Sequence, residues 1–230
     1  MLAGFDFNVI ERSWSYLFLT GMAFTLKLAV LAMMGGIAAG TLLALCRLSH
    51  LRLLSVPAGV YVSVVRSIPL VLVIFWFYFL VPYVGAWLIG ASEPVSVGAF
   101  ASCLITFIMF EACYFCEIMR AGIQSIPRGQ VQAGYAMGLN YRQVMAHVVL
   151  PQAFRNMAPV LLTQTIVLFQ DVSMVYVLSI TDFVGAATKV AQRDGRMVEM
   201  YLFVALVYFL LCFGLSRLVR RVQARTAIVR

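Results

Sequence analysis

Five long apolar runs, each near the length of a membrane crossing, constrain this chain more than any other feature. They cover about Thr20 to Leu45, Ser67 to Val84, Val95 to Cys116, Met157 to Leu178 and Met200 to Leu218. A spanning helix needs roughly 20 predominantly apolar residues. Hydrophobic residues make up 63% of the chain and charged residues only 11%. A water-soluble fold of this size has too little interior to hide that much apolar surface. The sequence therefore predicts an all-α membrane protein with five transmembrane helices. The stretch 53–65, half apolar, leaves two readings open. It is either an interfacial helix or part of a longer, kinked second span.

Charge gives the orientation. With the N-terminus outside and five crossings, the inner segments hold Arg47, Arg52, Arg66, Arg120, Arg128, Arg142, Arg155, Arg217, Arg220, Arg221, Arg225 and Arg230. The outer segments hold only Arg12, Lys189, Arg193 and Arg196. This bias predicts an outer N-terminus and a cytoplasmic C-terminus. The net charge of +8 is thus a topology signal facing anionic lipid rather than a nucleic-acid footprint. The expected organisation is an extracytoplasmic segment 1–19, a membrane domain 20–221 and a basic cytoplasmic tail 222–230. The N-terminus lacks the basic start and small-residue cleavage site of a removable signal peptide. The five cysteines suggest no disulfide framework, and the two histidines, His50 and His147, lack metal-ligand spacing. No catalytic constellation and no metal set is predicted.

The inner excursion at about 117–156, between the third and fourth spans, is long for a helix connection. Ser125 is positioned to cap a helix with Pro127 in its first turn, running to Met137. Gly138 suits a left-handed stop, and Asn140 with Gln143 suits a capping-box restart. A second short helix then ends near Leu150, before Pro151. A helix, glycine turn and helix on one membrane face either merely connect two spans or, as their length favours, form a docking element. Glu117 and Arg120, three apart, predict an ion pair at the inner interface. Glu111 and Glu117, six apart, point to roughly opposite faces and form no acid pair.

Within this excursion residues 132–151 read Q-A-G-x-x-x-G-x9-V-x-L-P. The pattern resembles the cytoplasmic signature of permeases of ATP-binding cassette (ABC) importers, written E-A-A-x3-G-x9-I-x-L-P. The segments 117–130, Arg66 to Leu70, Leu150 to Arg155 and Gln170 to Met174 resemble the polar amino-acid branch, and the glutamate/aspartate subgroup is the most similar. The resemblance implies a permease subunit, not itself an enzyme, in the bacterial inner membrane. It implies a second permease chain, identical or sister, two ATPase subunits that bind ATP and Mg, and an extracytoplasmic amino-acid-binding protein. No G-x-x-x-x-G-K-[ST] phosphate loop is present in the chain itself. The ATPase-coupling residues would be Gln132, Ala133, Gly134, Gly138, Val148, Leu150 and Pro151. Gly138 would permit the sharp turn, Pro151 would end the second short helix, and Ala133 and Gly134 would let a partner approach. Gln132 replaces the family's acid and Gly134 its second alanine, and that glycine weakens the helix by about 1 kcal/mol.

Asp171 is the only side chain charged at neutral pH between Arg155 and Asp182. A charge there is costly and turns toward a cavity or a partner. With Gln170 and Ser173 it is a candidate for the substrate path or a gate, the alternative being a structural pair with another helix. Arg66, at the inner mouth of the second span, either anchors to headgroups or attracts a substrate carboxylate. Lys27 is the other near-membrane cation before the third span. The rival reading of the whole chain is a secondary transporter or channel, which calls for coupling-ion sites and often repeated halves; neither is seen.

Overall fold

The computed structural model describes residues 6, 8–95 and 97–226. Of the expected terminal segments, residues 1–5, 7 and 227–230 lie outside the described residues. The described chain is helical with no strand, and five helices are long and apolar enough to cross a membrane. In chain order the elements are α1 (Asn8–Leu48), α2 (Arg52–Arg66), α3 (Leu70–Ile89), α4 (Ala99–Gln124), α5 (Arg128–Ala136), α6 (Tyr141–Leu178), α7 (Phe183–Asp194) and α8 (Met197–Thr226). The crossing helices are α1, α3, α4, α6 and α8.

α1 begins twelve residues before the apolar run suggested. Val9, Ser13 and Leu17 are buried, so its first turns pack against the bundle. A widened π-turn at Tyr16–Met22 interrupts its α-helical pitch. α4 is the axis of the fold: more than half of its apolar window is buried (56%), against 17% for α3 and α8. Its main partner is α1. Small residues allow helix backbones to approach closely in membranes, where tails and side chains are equally apolar. A Cβ added at Gly40 would lie 2.9 Å from the Ala112 carbonyl oxygen, and one at Gly36 would lie 3.0 Å from Glu111 Cβ.

The stretch 53–65 is neither a continuation of α3 nor a span. It forms most of α2, whose 15 residues reach about 22 Å, short of a roughly 30 Å hydrocarbon core. Ser49 and Leu51 are extended at its start. At its end, Ser67–Pro69 breaks the chain because proline supplies no N–H and disfavours helix before it. Tyr61 on α2 donates its hydroxyl to the Met109 carbonyl of α4, 3.1 Å away.

α7 was not foreseen. Asp182 caps it by accepting from Val184 N–H at 3.1 Å and Gly185 N–H at 2.8 Å, and Gly195 ends it at φ +68°. Its Phe183, Ala186, Ala187 and Ala191 are fully buried against the π-turn of α1 and against α8. Burial pushes the Asp182 carboxyl up to about 6, against the lowering effect of the two N–H donors.

Candidate functional site

The elbow between α4 and α6 departs from the sequence reading at three positions. Ser125 does not cap α5. It closes α4, where its Oγ donates to the Gly122 carbonyl at 2.7 Å and accepts from Asn156 Nδ2 at 2.8 Å. α5 is instead entered from Pro127, whose extended backbone starts the helix directly. Pro151 does not stop the second helix either. Helix α6 runs through it, because a π-turn at Met145–Val149 widens the ladder just ahead and Leu150 N–H reaches back to the Met145 carbonyl. A single wide turn absorbs the missing proline N–H without a break. Third, Gly134 faces inward rather than toward an approaching surface. It is buried, and an added Cβ would lie 3.0 Å from Val144 Cγ2 and 3.7 Å from Val148 Cγ2.

The turn itself is built as its residue types dictate. Gly138 has φ +81°, where an L side chain is strained. Its N–H donates to Tyr135 O at 2.9 Å, and Leu139 N–H donates to Gly134 O at 3.2 Å, satisfying the last carbonyls of α5. Asn140 Oδ1 accepts from Gln143 N–H at 3.0 Å while Gln143 Oε1 accepts from Asn140 N–H at 2.9 Å. Gln152 Nε2 bridges Gln130 Oε1 at 2.8 Å and the Val148 carbonyl at 2.7 Å, tying the two arms together. The elbow's outer side carries Gln132 and Ala133, both exposed, beside Tyr135, Met137 and Tyr141. Met137 is 81% exposed, a large apolar side chain at the tip of a polar turn.

At the root of the elbow, Glu117 gathers three cations. Arg120 Nη2 lies 2.7 Å from its Oε2, Arg47 of α1 pairs with its Oε1, and Arg66 Nη1 stands 4.0 Å from Oε2. Arg47 was missed in the sequence, although charge bias already placed it at the same end as Glu117.

Arg66 joins this cluster to a cavity of about 350 Å³. The cavity is lined by Arg66, Ser67 and Pro69 at the α2–α3 break, by Tyr114 of α4, and by Gln164 and Asp171 of α6. The Arg66 guanidinium lies over the Tyr114 ring, 5.2 Å from its centroid. A second cavity of about 370 Å³ on the elbow side shares Arg66 and is lined by Glu117, Ser125 and Asn156. Arg66 and Asp171 therefore meet in one cavity, whereas Gln170 and Ser173 do not line it. Gln170 sits about 100° around the helix from Asp171, and Ser173 lies in the tighter 3-10 turns, Val172–Leu178, that end α6. Gln164 and Tyr114 were missed; Gln164 lies seven residues before Asp171, two turns away on the same face. Lys27 lies 5.0 Å from the Phe100 ring centroid and does not line this cavity.

A five-span helical bundle with a capped, exposed elbow and a polar cavity above it is the architecture of an importer's membrane subunit. Residues 36–228 match the family described as binding-protein-dependent transport system inner membrane component, and the chain belongs to that family. Members of this family are transmembrane components rather than catalysts. The chain is 49% identical over 223 residues to the glutamate/aspartate import permease protein GltK of Escherichia coli O6:H1, covering 97% of this chain and 99% of that one. Its fold superposes on a chain of a crystal structure of an amino acid ABC transporter with histidines. The TM-score is 0.83 at 29% identity, over 96% of this chain and 99% of that one. It also matches the fold of an inward-facing MetNI methionine ABC transporter, with a TM-score of 0.66 over 90% and 96% of the two chains. Membership in this family argues against the secondary-transporter and channel readings.

Proposed function

We propose that this chain is the permease subunit of an ABC importer for acidic amino acids, glutamate or aspartate. It pairs with a second permease, identical or sister, and takes its substrate from an extracytoplasmic binding protein. The elbow faces the cytoplasm, the N-terminus lies outside and the C-terminus inside. Two ATPase subunits, which bind ATP and Mg, grip the elbow through Gln132, Ala133 and the exposed apolar tip at Met137. Gly138, Val148, Leu150 and Pro151 serve the lever from within, by shaping the turn and the continuous α6 that transmits its motion. Gly134 fixes the angle between the two arms.

The observation that carries the substrate reading is the cavity at the α2–α3 break. Arg66 presents a forked cation, and α3 begins there, so the cavity also lies at the positive end of its dipole. Both favour a carboxylate. Asp171, which lines the same cavity, is the complementary partner for an α-ammonium. Identity of 49% to a glutamate/aspartate permease supports the same class.

The test is transport by the assembled complex in proteoliposomes. Uptake of labelled glutamate requires ATP and the binding protein, and Arg66→Met lowers it at least tenfold while Arg66→Lys keeps part of it. Uptake that persists without ATP would overturn the importer reading. Full uptake by Arg66→Met would remove Arg66 from the substrate path.

A further inference from the structure

Glu111 sits in the middle of α4 and is fully buried, 0% exposed. The α1 backbone seals it in at Gly36, where an added Cβ would lie 3.0 Å from Glu111 Cβ. Among the described residues, its recorded hydrogen-bond partner is one side chain, Gln164, whose Nε2 stands 3.0 Å from Oε2 and 3.4 Å from Oε1. The ion-pair cluster six residues along α4 uses Glu117 and leaves Glu111 out. An acid in this place is costly in a membrane, and an apolar residue of similar volume would fill the space. Its polar chemistry therefore needs a reason.

Gln164 supplies the reason. It lines the cavity that holds Arg66 and Asp171, while Glu111 does not. An amide has a donor end and an acceptor end, and here both Glu111 oxygens face the donor end, Gln164 Nε2. Glu111 thus takes the NH2 of Gln164, and of the amide's two ends the acceptor Oε1 is the one left to serve the cavity that Gln164 lines. We propose that Glu111 is a positioning residue that sets the polarity of Gln164, so that the cavity meets the substrate's α-ammonium with an acceptor. The proposal rests on the reading of this cavity as the substrate path. It makes Gln164 and Asp171, two turns apart on one face of α6, a row of acceptors along that path.

The test is equilibrium binding of glutamate and of glutarate, which lacks the amino group, to the purified permease–ATPase complex in nanodiscs. Wild type is expected to prefer glutamate by at least about tenfold, since a site built to bond an N–H donor rejects the analogue without it. Glu111→Met frees the amide to turn, and the preference falls to within about twofold through weaker glutamate binding, with glutarate unchanged. Glu111→Gln preserves volume and a hydrogen bond but presents either polarity to Gln164, so its preference lies between the two. This variant decides the matter if the methionine variant does not assemble. The exchange Glu111→Gln with Gln164→Glu restores the preference, because position 164 again presents an acceptor to the cavity. A merely structural link predicts no change in preference for Glu111→Gln. Wild-type preference in both single variants would overturn the positioning role while leaving the cavity as the substrate path. A wild-type complex that binds neither compound would overturn the cavity reading and this inference with it.

Discussion

The α1–α4 seam and the elbow both depend on glycine, for opposite ends. At Gly40 the missing side chain lets two helices meet backbone to backbone, with the Ala112 carbonyl and the Cys116 N–H within about 3.1 Å of where a Cβ would stand. At Gly138 there is nothing within 4 Å of that position, and what matters is the positive φ. One glycine fixes a distance between rigid bodies, and the other fixes a direction of the chain. The seam is therefore a frame, intolerant of any added atom. The elbow is a shape held by its own capping bonds and free on its outer side. A lever needs this division: an arm that keeps its form while it moves, and a body against which it moves.

The frame offers the largest effect. Gly40→Val pushes two methyl groups into backbone that cannot rotate away. Overpacking of this kind costs typically 1–3 kcal/mol and more where no side chain can yield, so we expect a loss of about 3 kcal/mol or failure to assemble. Thermal unfolding of the detergent-solubilised protein measures it. A Gly40→Val variant as stable as wild type would show that the seam is looser than its geometry.

The next effect lies at the far end of the frame, where Asp182 starts α7. Asp182→Ala removes acceptors from two N–H groups and should cost about 1 kcal/mol. The pH dependence sharpens the point. Burial lifts this carboxyl to about 6, above its ordinary range, so the folded state holds its proton more tightly than the unfolded state. Its contribution to stability is present below the ordinary carboxylate pKa and is lost as pH rises through about 6. The melting temperature of wild type should fall between pH 4.5 and 7.5 by a component that Asp182→Asn, which keeps an acceptor, abolishes. An asparagine variant with the same pH profile as wild type would assign the dependence to other groups.

The same contrast explains what was legible in the sequence. Spans are written in composition, and all five apolar runs correspond to helices. The Gly138 turn and the Asn140–Gln143 box are local, needing only neighbours within three residues, and they were readable. Ser125 and Pro151 were misread because each carries two local options. Ser125 fits the end of α4 as well as the start of α5, and the choice is made by Asn156, thirty-one residues away. Pro151 ends a helix unless a wider turn precedes it, and nothing in its neighbours announces that turn. α7 had its signals, Asp182 before and Gly195 after, but its mean hydropathy is low and its burial is tertiary. The cavity was half legible. Arg66 and Asp171 stood out as charges among apolar residues, whereas Gln164 becomes notable only once α4 sets Glu111 beside it.

The smallest effect tests whether the elbow's angle is set by packing or by helix propensity. Gly134→Ala gains about 1 kcal/mol of helix propensity for α5. It also places a Cβ 3.0 Å from Val144 Cγ2, and Val144 is buried to 1% exposure and, being β-branched, holds one rotamer. The two terms oppose each other, and we expect a net change within about 0.5 kcal/mol. Val144→Ala removes the obstacle while opening a void that the new methyl partly fills. The double variant should therefore be more stable than the two single changes sum to, by at least about 0.5 kcal/mol, a coupling that a double-mutant cycle in thermal unfolding reads directly. If Gly134→Ala alone yields the full propensity gain, the arms of the elbow separate without cost. The glycine would then be a feature of α5 alone rather than of its contact with α6.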